Sequence, residues 1–292
     1  LIDNVHWGVA PTWSRLLFGI SISMIAYTGI ETVSNLSEET RNPGKNVPRS
    51  VGLVFVAVIV LYFFISTIAL SAMPVYFDPE QQKYVSDVGE KFLTDPVVGI
   101  VRQLPDVIQP VLAGWVGILA ATILLIATNA GILGLSRLTY SMGRHRQLPP
   151  LVSRIDEKRR TPVNAIILFA ILAALLIIPG KVELLADLYS FGALLAFTLA
   201  HASIIALRIR EPDMERPFKI PVNIRVKGRQ IPLPAVIGGL ATFGTWIVVL
   251  YSHELGRVVG FAWLAAGIAV YLLYRRAIGE SPLRTTKRDS AT

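Results

Sequence analysis

The sequence contains no cysteine and few charged residues for its length. Charged side chains make up 16% of the 292 residues, whereas hydrophobic side chains make up 53%. A soluble domain carries about a quarter charged residues, so this composition is typical of a membrane protein. The absence of cysteine excludes disulfides and thiolate metal sites from the residues given.

Long apolar runs are abundant. A transmembrane helix needs about 20 apolar residues to cross a hydrocarbon core about 30 Å thick. The sequence therefore predicts an all-α integral membrane protein, with an outer N-terminal segment (1–14), a transmembrane domain (15–276) and a cytoplasmic tail (277–292). Seven predicted transmembrane helices cover approximately residues 16–34, 51–73, 111–136, 163–180, 184–207, 232–252 and 257–274.

The connections between these segments differ in character. Pro43 and Pro48 predict a loop over residues 38–50, because proline interrupts a helix. The connection over residues 74–110 is the longest, and its apolar spacing predicts one or two short amphipathic helices. The proline-rich link that follows the fifth segment is predicted to be a loop with room for a short strand.

The net charge of +8 is distributed unevenly along the chain. Three basic residues follow the first segment, six the third, seven the fifth and five the seventh, whereas the alternate connections hold three, one and one. This is the positive-inside asymmetry of membrane proteins, so we expect a multi-pass protein of the cell membrane whose C-terminus lies in the cytoplasm. The basic excess is thus a topology signal, and we expect no nucleic-acid partner. Because seven is an odd number of spans, a cytoplasmic C-terminus places residue 1 on the outer side of the membrane. Because no signal peptide precedes the first span and the chain begins with Leu, we expect it to continue a longer protein.

The first predicted span contains a polar interruption. Gly29 lies between Thr28 and Glu31 near its middle, where hydrocarbon should surround the helix. Glycine weakens a helix, and a carboxylate at this depth costs several kcal/mol unless it is paired or protonated. Both features occur where a transporter helix is broken into halves whose free backbone groups bind substrate or ion. The alternative is a glycine packing notch, with Glu31 in contact with water at the inner interface.

Three stretches resemble amino acid permeases of the amino acid–polyamine–organocation (APC) superfamily. AYTGIETVSNLSEETRNPGKNVPRS resembles the sixth transmembrane helix and following loop, NAGILGLSRLTYSMGRHRQLPP the eighth helix, and LRIREPDMERPFKIP the run after the tenth. That family folds as two inverted five-helix repeats followed by two extra helices. The resemblance implies that this chain is the second repeat plus the extra helices, begins with a broken helix, and lacks the N-terminal five-helix half.

The resemblance also implies a substrate site at the broken helix. The backbone carbonyls of Ile25 and Thr28 would bind the amino group of the substrate, and Gly29 would give the backbone clearance to approach it. Ala26 lies between Ile25 and Thr28 in the broken part of the helix, and Tyr27 would be the aromatic side chain beside the site.

Other polar residues receive weaker roles from the same resemblance. Glu31 would belong to a network that couples transport or holds the break together, and Asn129 would line the cavity or bond between helices. Tyr189 is a candidate gate or a packing residue. Glu38 and Glu39 either pair with inner arginines or remain solvated.

The predicted function is secondary active transport of an amino acid by alternating access, with a proton or sodium ion as the candidate coupling ion. The expected partners are the amino acid, the lipid bilayer and the missing half, and no cofactor or metal is expected. The alternative is a seven-helix receptor or retinal-type protein, but the last two segments contain no lysine for a Schiff base. A membrane enzyme would need a polar cluster, and only Glu31 and Asp187 are available, so we expect no enzyme.

Overall fold

The computed structural model describes residues 13–281 apart from Thr28, Lys227 and His253. Within these residues the protein is mostly α-helical and has two short β-hairpins. The helices are α1 (Trp13–Ser23), α2 (Ile30–Asn35), α3 (Pro43–Ala72), α4 (Asp87–Glu90), α5 (Pro96–Val101), α6 (Gln109–Arg144), α7 (Pro150–Ser153), α8 (Val163–Ile177), α9 (Val182–Arg210), α10 (Leu233–Ser252) and α11 (Glu254–Ala277). The antiparallel strand pairs are β1 (Tyr76–Asp78) with β2 (Lys83–Val85), and β3 (Asn223–Val226) with β4 (Arg229–Pro232).

The described residues divide into two compact units. The first comprises residues 49–130, and the second comprises residues 13–48 and 131–281. The boundaries fall inside α3 and α6, so each of these helices contributes to both units. The predicted outer segment 1–14 lies outside the described residues except for its last two positions, and the predicted tail is described only as far as residue 281.

In the first unit, the long connection between α3 and α6 is ordered by a hairpin and two short helices. The rings of Phe77 and Tyr84 pack edge to face between the paired strands β1 and β2, with centroids 5.2 Å apart. Ser86 accepts a hydrogen bond from the Val88 amide at 3.4 Å and donates one to the Met73 carbonyl at 2.8 Å. This N-cap ties α4 to the end of α3. The two short helices were predicted, and the hairpin was not.

In the second unit, α9 is the central helix and packs against α10 and α11 through glycines. The ring of His201 lies against Gly238 of α10, where a Cβ would be 2.5 Å from its Nε2. A Cβ on Gly260 of α11 would lie 2.6 Å from the Phe191 ring of α9. Residues without side chains let membrane helices approach closely. His201 packs in this way against Gly238 and Gly239.

Several predicted helix boundaries were wrong. The predicted loop over 38–50 is mostly helical, because α3 begins at Pro43 rather than near residue 51. Proline is well suited to the first helical position, where the missing N–H has no partner in any case. The span predicted to end at residue 136 continues as α6 to Arg144, with Ser136 and Thr139 buried.

Five of the described helices are long and apolar enough to cross a membrane, namely α3, α6, α9, α10 and α11. The predicted span 163–180 corresponds to the shorter 15-residue α8, which ends at Ile177 before Pro179 and Gly180, and its crossing of the membrane stays a prediction. At 1.5 Å per residue it extends about 22 Å, less than the usual core thickness. The predicted span 16–34 is interrupted, as the sequence predicts, and its interruption forms the candidate site.

Candidate functional site

The first apolar segment is interrupted between α1 and α2. The α-helix ends at Ser23 and tightens into a 3₁₀ segment, Met24–Tyr27. Gly29 then has φ 104° and ψ −15°, a conformation that side-chain-bearing residues rarely adopt. We call residues 24–29 the break. The sequence predicts an interruption around Gly29, and in the structure the interruption begins at Met24.

Glu31 satisfies the backbone that the break exposes. Its Oε2 accepts a hydrogen bond from the Gly29 amide at 3.1 Å, and the Thr32 amide donates to the Gly29 carbonyl at 3.1 Å. A carboxylate is favourable here because the N-terminus of a helix carries partial positive charge. The half-buried Glu31 therefore stabilises the start of α2, and its role in a coupling network stays a prediction.

The break is held against the core of the second unit. Met24 packs against the buried cluster formed by Phe191 and Leu194 of α9 and Val249 of α10. Ser21, on the last turns of α1, is completely buried. The 3₁₀ segment is thus positioned by the two helices that follow it much later in the chain.

An aromatic group surrounds this cluster. The Trp246 ring lies 5.7 Å from the Phe191 ring and 6.2 Å from the rings of Phe243 and Phe261. Trp246 Nε1 and the hydroxyl of Ser190 are buried without a hydrogen-bond partner among the described residues. Buried polar atoms normally find a partner, so these two groups near the cluster could bond a polar ligand. Sequence reasoning missed Trp246, although a tryptophan inside an apolar helix usually needs a partner for its N–H.

On another side, α2 lies against the second half of α6. A Cβ on Gly134 would be 3.4 Å from Asn35 Nδ2 and 3.6 Å from Thr32 Oγ1. Beyond α2, Arg137 Nε and Glu39 Oε1 are 2.6 Å apart, although the N–H direction does not give a regular hydrogen bond. Pairing of Glu39 with an arginine, one of the two alternatives left open by the sequence, is therefore present.

The loop after α9 packs on the start of α3. A Cβ on Gly44 would lie 2.6 Å from Cβ of Pro217, so only glycine fits without movement. The Arg216 guanidinium donates to the carbonyls of Glu211 and Met214 at 2.6 and 2.7 Å, which fixes the shape of this loop. Two of the three stretches that resemble permeases are thus in contact.

The remaining predicted site residues are less closely defined. Thr28 lies outside the described residues, and only the backbone of Ala26 and Tyr27 is described, within the 3₁₀ segment. Ile25 is half-buried. The role of each in binding stays a prediction.

The two residues predicted on later helices lie in different units. Asn129 is exposed on the part of α6 that belongs to the first unit. Tyr189 is half-buried on α9, next to the buried Ser190. Their proposed roles, lining the cavity and gating, also stay predictions.

The sequence is similar to that of known membrane transport proteins. The family described as "Amino acid permease" matches residues 3–274. The branched-chain amino acid permease BcaP of Bacillus subtilis is 28% identical over 256 residues, which are 88% of this chain and 50% of that protein. The methylthioribose transporter of B. subtilis is 30% identical over 86% of this chain and 49% of its own length. The human b(0,+)-type amino acid transporter 1 is 28% identical over 84% of this chain and 47% of its own length.

These relatives are permeases and transporters rather than enzymes, and the chain spans about half the length of each. The family match covers the broken helix as well as the five helices that are apolar enough to cross a membrane. This is a multi-pass membrane protein, and the chain belongs to the amino acid permease family.

Proposed function

We propose that this chain is the second half of a secondary transporter that moves an amino acid across the cell membrane by alternating access. The observation that carries the proposal is the break itself, a 3₁₀ segment and a left-handed glycine inside an apolar segment. Broken helices of this kind place unpaired backbone groups at the substrate and ion sites of transporters. The family match supports the same function.

In this proposal the backbone around Ile25 and Thr28 accepts hydrogen bonds from the substrate ammonium group. Gly29 presents no side chain, and a Cβ placed on it would meet nothing within 4 Å, so the space beside it is open. Trp246 Nε1 and the Ser190 hydroxyl add polar groups near the same core cluster. The other half of the site would come from the N-terminal half of the transporter.

Glu31 acts in this proposal on the break rather than on the substrate. Its carboxylate accepts a hydrogen bond from the Gly29 amide, so a change in the angle between α1 and α2 would alter this hydrogen bond. A proton or a sodium ion that neutralises this carboxylate would loosen the start of α2. Coupling to one of these ions therefore acts through the geometry of the break.

The names of the relatives guide the choice of substrates to test. BcaP is named for branched-chain amino acids, and another relative is named for methylthioribose, which is not an amino acid. An uptake screen should therefore compare branched-chain, cationic and acidic amino acids with methylthioribose. Saturable uptake of methylthioribose alone would contradict the amino acid substrate and leave the transport mechanism standing.

The experiment that tests the proposal expresses the chain in cells that lack their own amino acid permeases. Residues 1–292 are expressed alone and together with a five-helix N-terminal half encoded upstream. We expect labelled amino acid uptake only from the pair, because the chain alone holds half of the site. Robust, saturable uptake by residues 1–292 alone would overturn the half-transporter proposal.

A further inference from the structure

A polar cavity lies at the end of α9, and the residues of the break are not among those that line it. It has a volume of about 830 Å³ and is formed by the last turn of α9, the loop that follows and the β3–β4 hairpin. Four cationic residues line it, against two acidic ones. The cations are Arg208, Arg216, Lys219 and Arg229, and the acids are Asp213 and Glu215.

Arg208 is the unusual member of this group. Only 8% of its surface is exposed, and no carboxylate in the described part of the chain pairs with it. Its electrostatic neighbour is another cation, Arg216. Burying an arginine without an anion is unfavourable, so an arginine in this setting usually has a partner that it binds.

The other charges of the cavity do not supply that partner. Arg216 is committed to the carbonyls of its own loop, through hydrogen bonds of 2.6 to 3.2 Å. Asp213 and Glu215 are exposed, and neither forms a salt bridge with Arg208 among the described residues. The cavity therefore keeps an excess of positive charge around the largely buried Arg208.

We propose that this cavity binds a phosphate group, held by Arg208 at its inner wall and by Lys219 and Arg229 at its rim. A guanidinium presents paired N–H donors that match two phosphate oxygens, and it holds its charge at any physiological pH. Lys219 and Arg229 are exposed and line the same cavity, so both can contact the ligand.

The position of the cavity identifies two sources of phosphate. Arg208 lies in the last turn of a candidate membrane span, and the next candidate span begins at Leu233, directly after the hairpin. The cavity is therefore at the level where phospholipid headgroups lie, and it is also open to soluble phosphate compounds. Both sources offer the same oxygens to Arg208.

The test measures phosphate binding with matched arginine variants of the full protein. Arg208→Gln removes the buried charge, and Arg210→Gln removes an exposed charge two residues away on the same helix. Protein in uncharged detergent is titrated with inorganic [³²P]phosphate, and protein in phosphatidylcholine nanodiscs is compared with protein in nanodiscs that also contain phosphatidylglycerol. Native mass spectrometry counts the retained phosphatidylglycerol.

We expect Arg208→Gln to lower phosphate affinity about tenfold or more, the loss typical of a charge-assisted hydrogen bond, while Arg210→Gln changes it little. Arg208→Lys should retain part of the affinity. Dependence on Arg208 in the nanodisc arm alone assigns a lipid headgroup, and dependence in both arms assigns a site also open to soluble phosphate. Equal binding by Arg208→Gln and Arg210→Gln in both arms overturns the proposal.

A second variant covers the case in which Arg208→Gln does not fold. The double variant Lys219→Gln/Arg229→Gln changes only exposed side chains at the rim of the cavity. We expect it to weaken binding about threefold to tenfold, as the loss of two exposed phosphate contacts should. Unchanged binding in this folded variant would also overturn the proposal.

Discussion

The segment from residue 13 to residue 35 and helix α3 follow each other in the chain, yet they respond differently to residues that disrupt helices. The first contains no proline and is broken at Met24. The second contains Pro48 and Gly52 and is continuous over 30 residues. Proline disrupts a helix far more strongly than glycine does, so intrinsic helix propensity predicts the opposite outcome.

The difference lies in what satisfies the freed backbone groups. Pro48 is the sixth residue of α3 and removes one backbone hydrogen bond near the N-terminus of the helix. The run from Val51 to Ile65 contains no carboxylate that could accept hydrogen bonds from freed amides. At the break, Glu31 accepts the hydrogen bond of the Gly29 amide. An apolar segment therefore opens where a nearby side chain replaces the lost backbone bond, which suits a site that must present backbone to a ligand.

The largest effect should come from Gly29→Leu. Its φ of 104° strains any residue with a side chain, by about 1–3 kcal/mol, and the side chain would enter the open space of the proposed site. We expect uptake by the complete transporter to be abolished while the protein still reaches the membrane. The matched control is Gly52→Leu in α3, where an added Cβ meets nothing within 4 Å and the backbone is helical. Near-normal uptake by Gly29→Leu would show that the substrate site does not lie at the break.

The next largest effect should come from Glu31. In Glu31→Gln an oxygen acceptor for the Gly29 amide remains and the negative charge is lost, so we expect reduced uptake with an altered pH or ion dependence. In Glu31→Leu the amide loses its acceptor, at about 1–3 kcal/mol, and uptake should fall further. Uptake against pH and sodium concentration separates the two variants. Identical pH and ion profiles for Glu31→Gln and the unmodified protein would argue against a coupling role.

The sequence was sufficient to locate the break, because Gly29 and Glu31 are conspicuous in an apolar run. It was not sufficient to show how the break is held. Met24 is an ordinary apolar residue by sequence, and its contact with Phe191, Leu194 and Val249 joins positions far apart in the chain. Single-sequence patterns report local periodicity, and they carry no information on such long-range packing.

The same reason explains what was missed elsewhere. In the sequence, Arg208 is one of several basic residues at a predicted cytoplasmic loop. Only the fold shows that it is buried beside a cavity. The early start of α3 was missed because Pro48 was interpreted as a helix breaker. In the structure the helix begins at Pro43, and a proline six residues into it removes only one bond.

A smaller effect is expected where the loop after α9 packs on α3. In Gly44→Ala the new Cβ would lie 2.6 Å from the rigid ring of Pro217, so the loop must move. Overpacking of this kind typically costs about 1–3 kcal/mol, and the unfolding midpoint in detergent should fall. Gly52→Ala is the control on the same helix, because its Cβ meets no neighbour. Equal midpoints for the two variants would show that the contact with Pro217 is not rigid.

The smallest effect should come from the Arg137–Glu39 pair, which joins the segment after α2 to α6. Their atoms are 2.6 Å apart, but the Glu39 side chain is 54% exposed and the Arg137 side chain 27%. Water screens such a pair, so a double-mutant cycle with Glu39→Gln and Arg137→Gln should give a coupling free energy of about 0.2–1 kcal/mol. The Lys83–Glu90 pair of the first unit, 3.3 Å apart and similarly exposed, is the matched control. If the pair instead acts during transport, Glu39→Gln and Arg137→Gln should each change uptake by the same factor. The coupling free energy for stability should still lie between about 0.2 and 1 kcal/mol. A coupling well above that of Lys83–Glu90 would show that the pair is shielded from water and stabilises the broken helix directly.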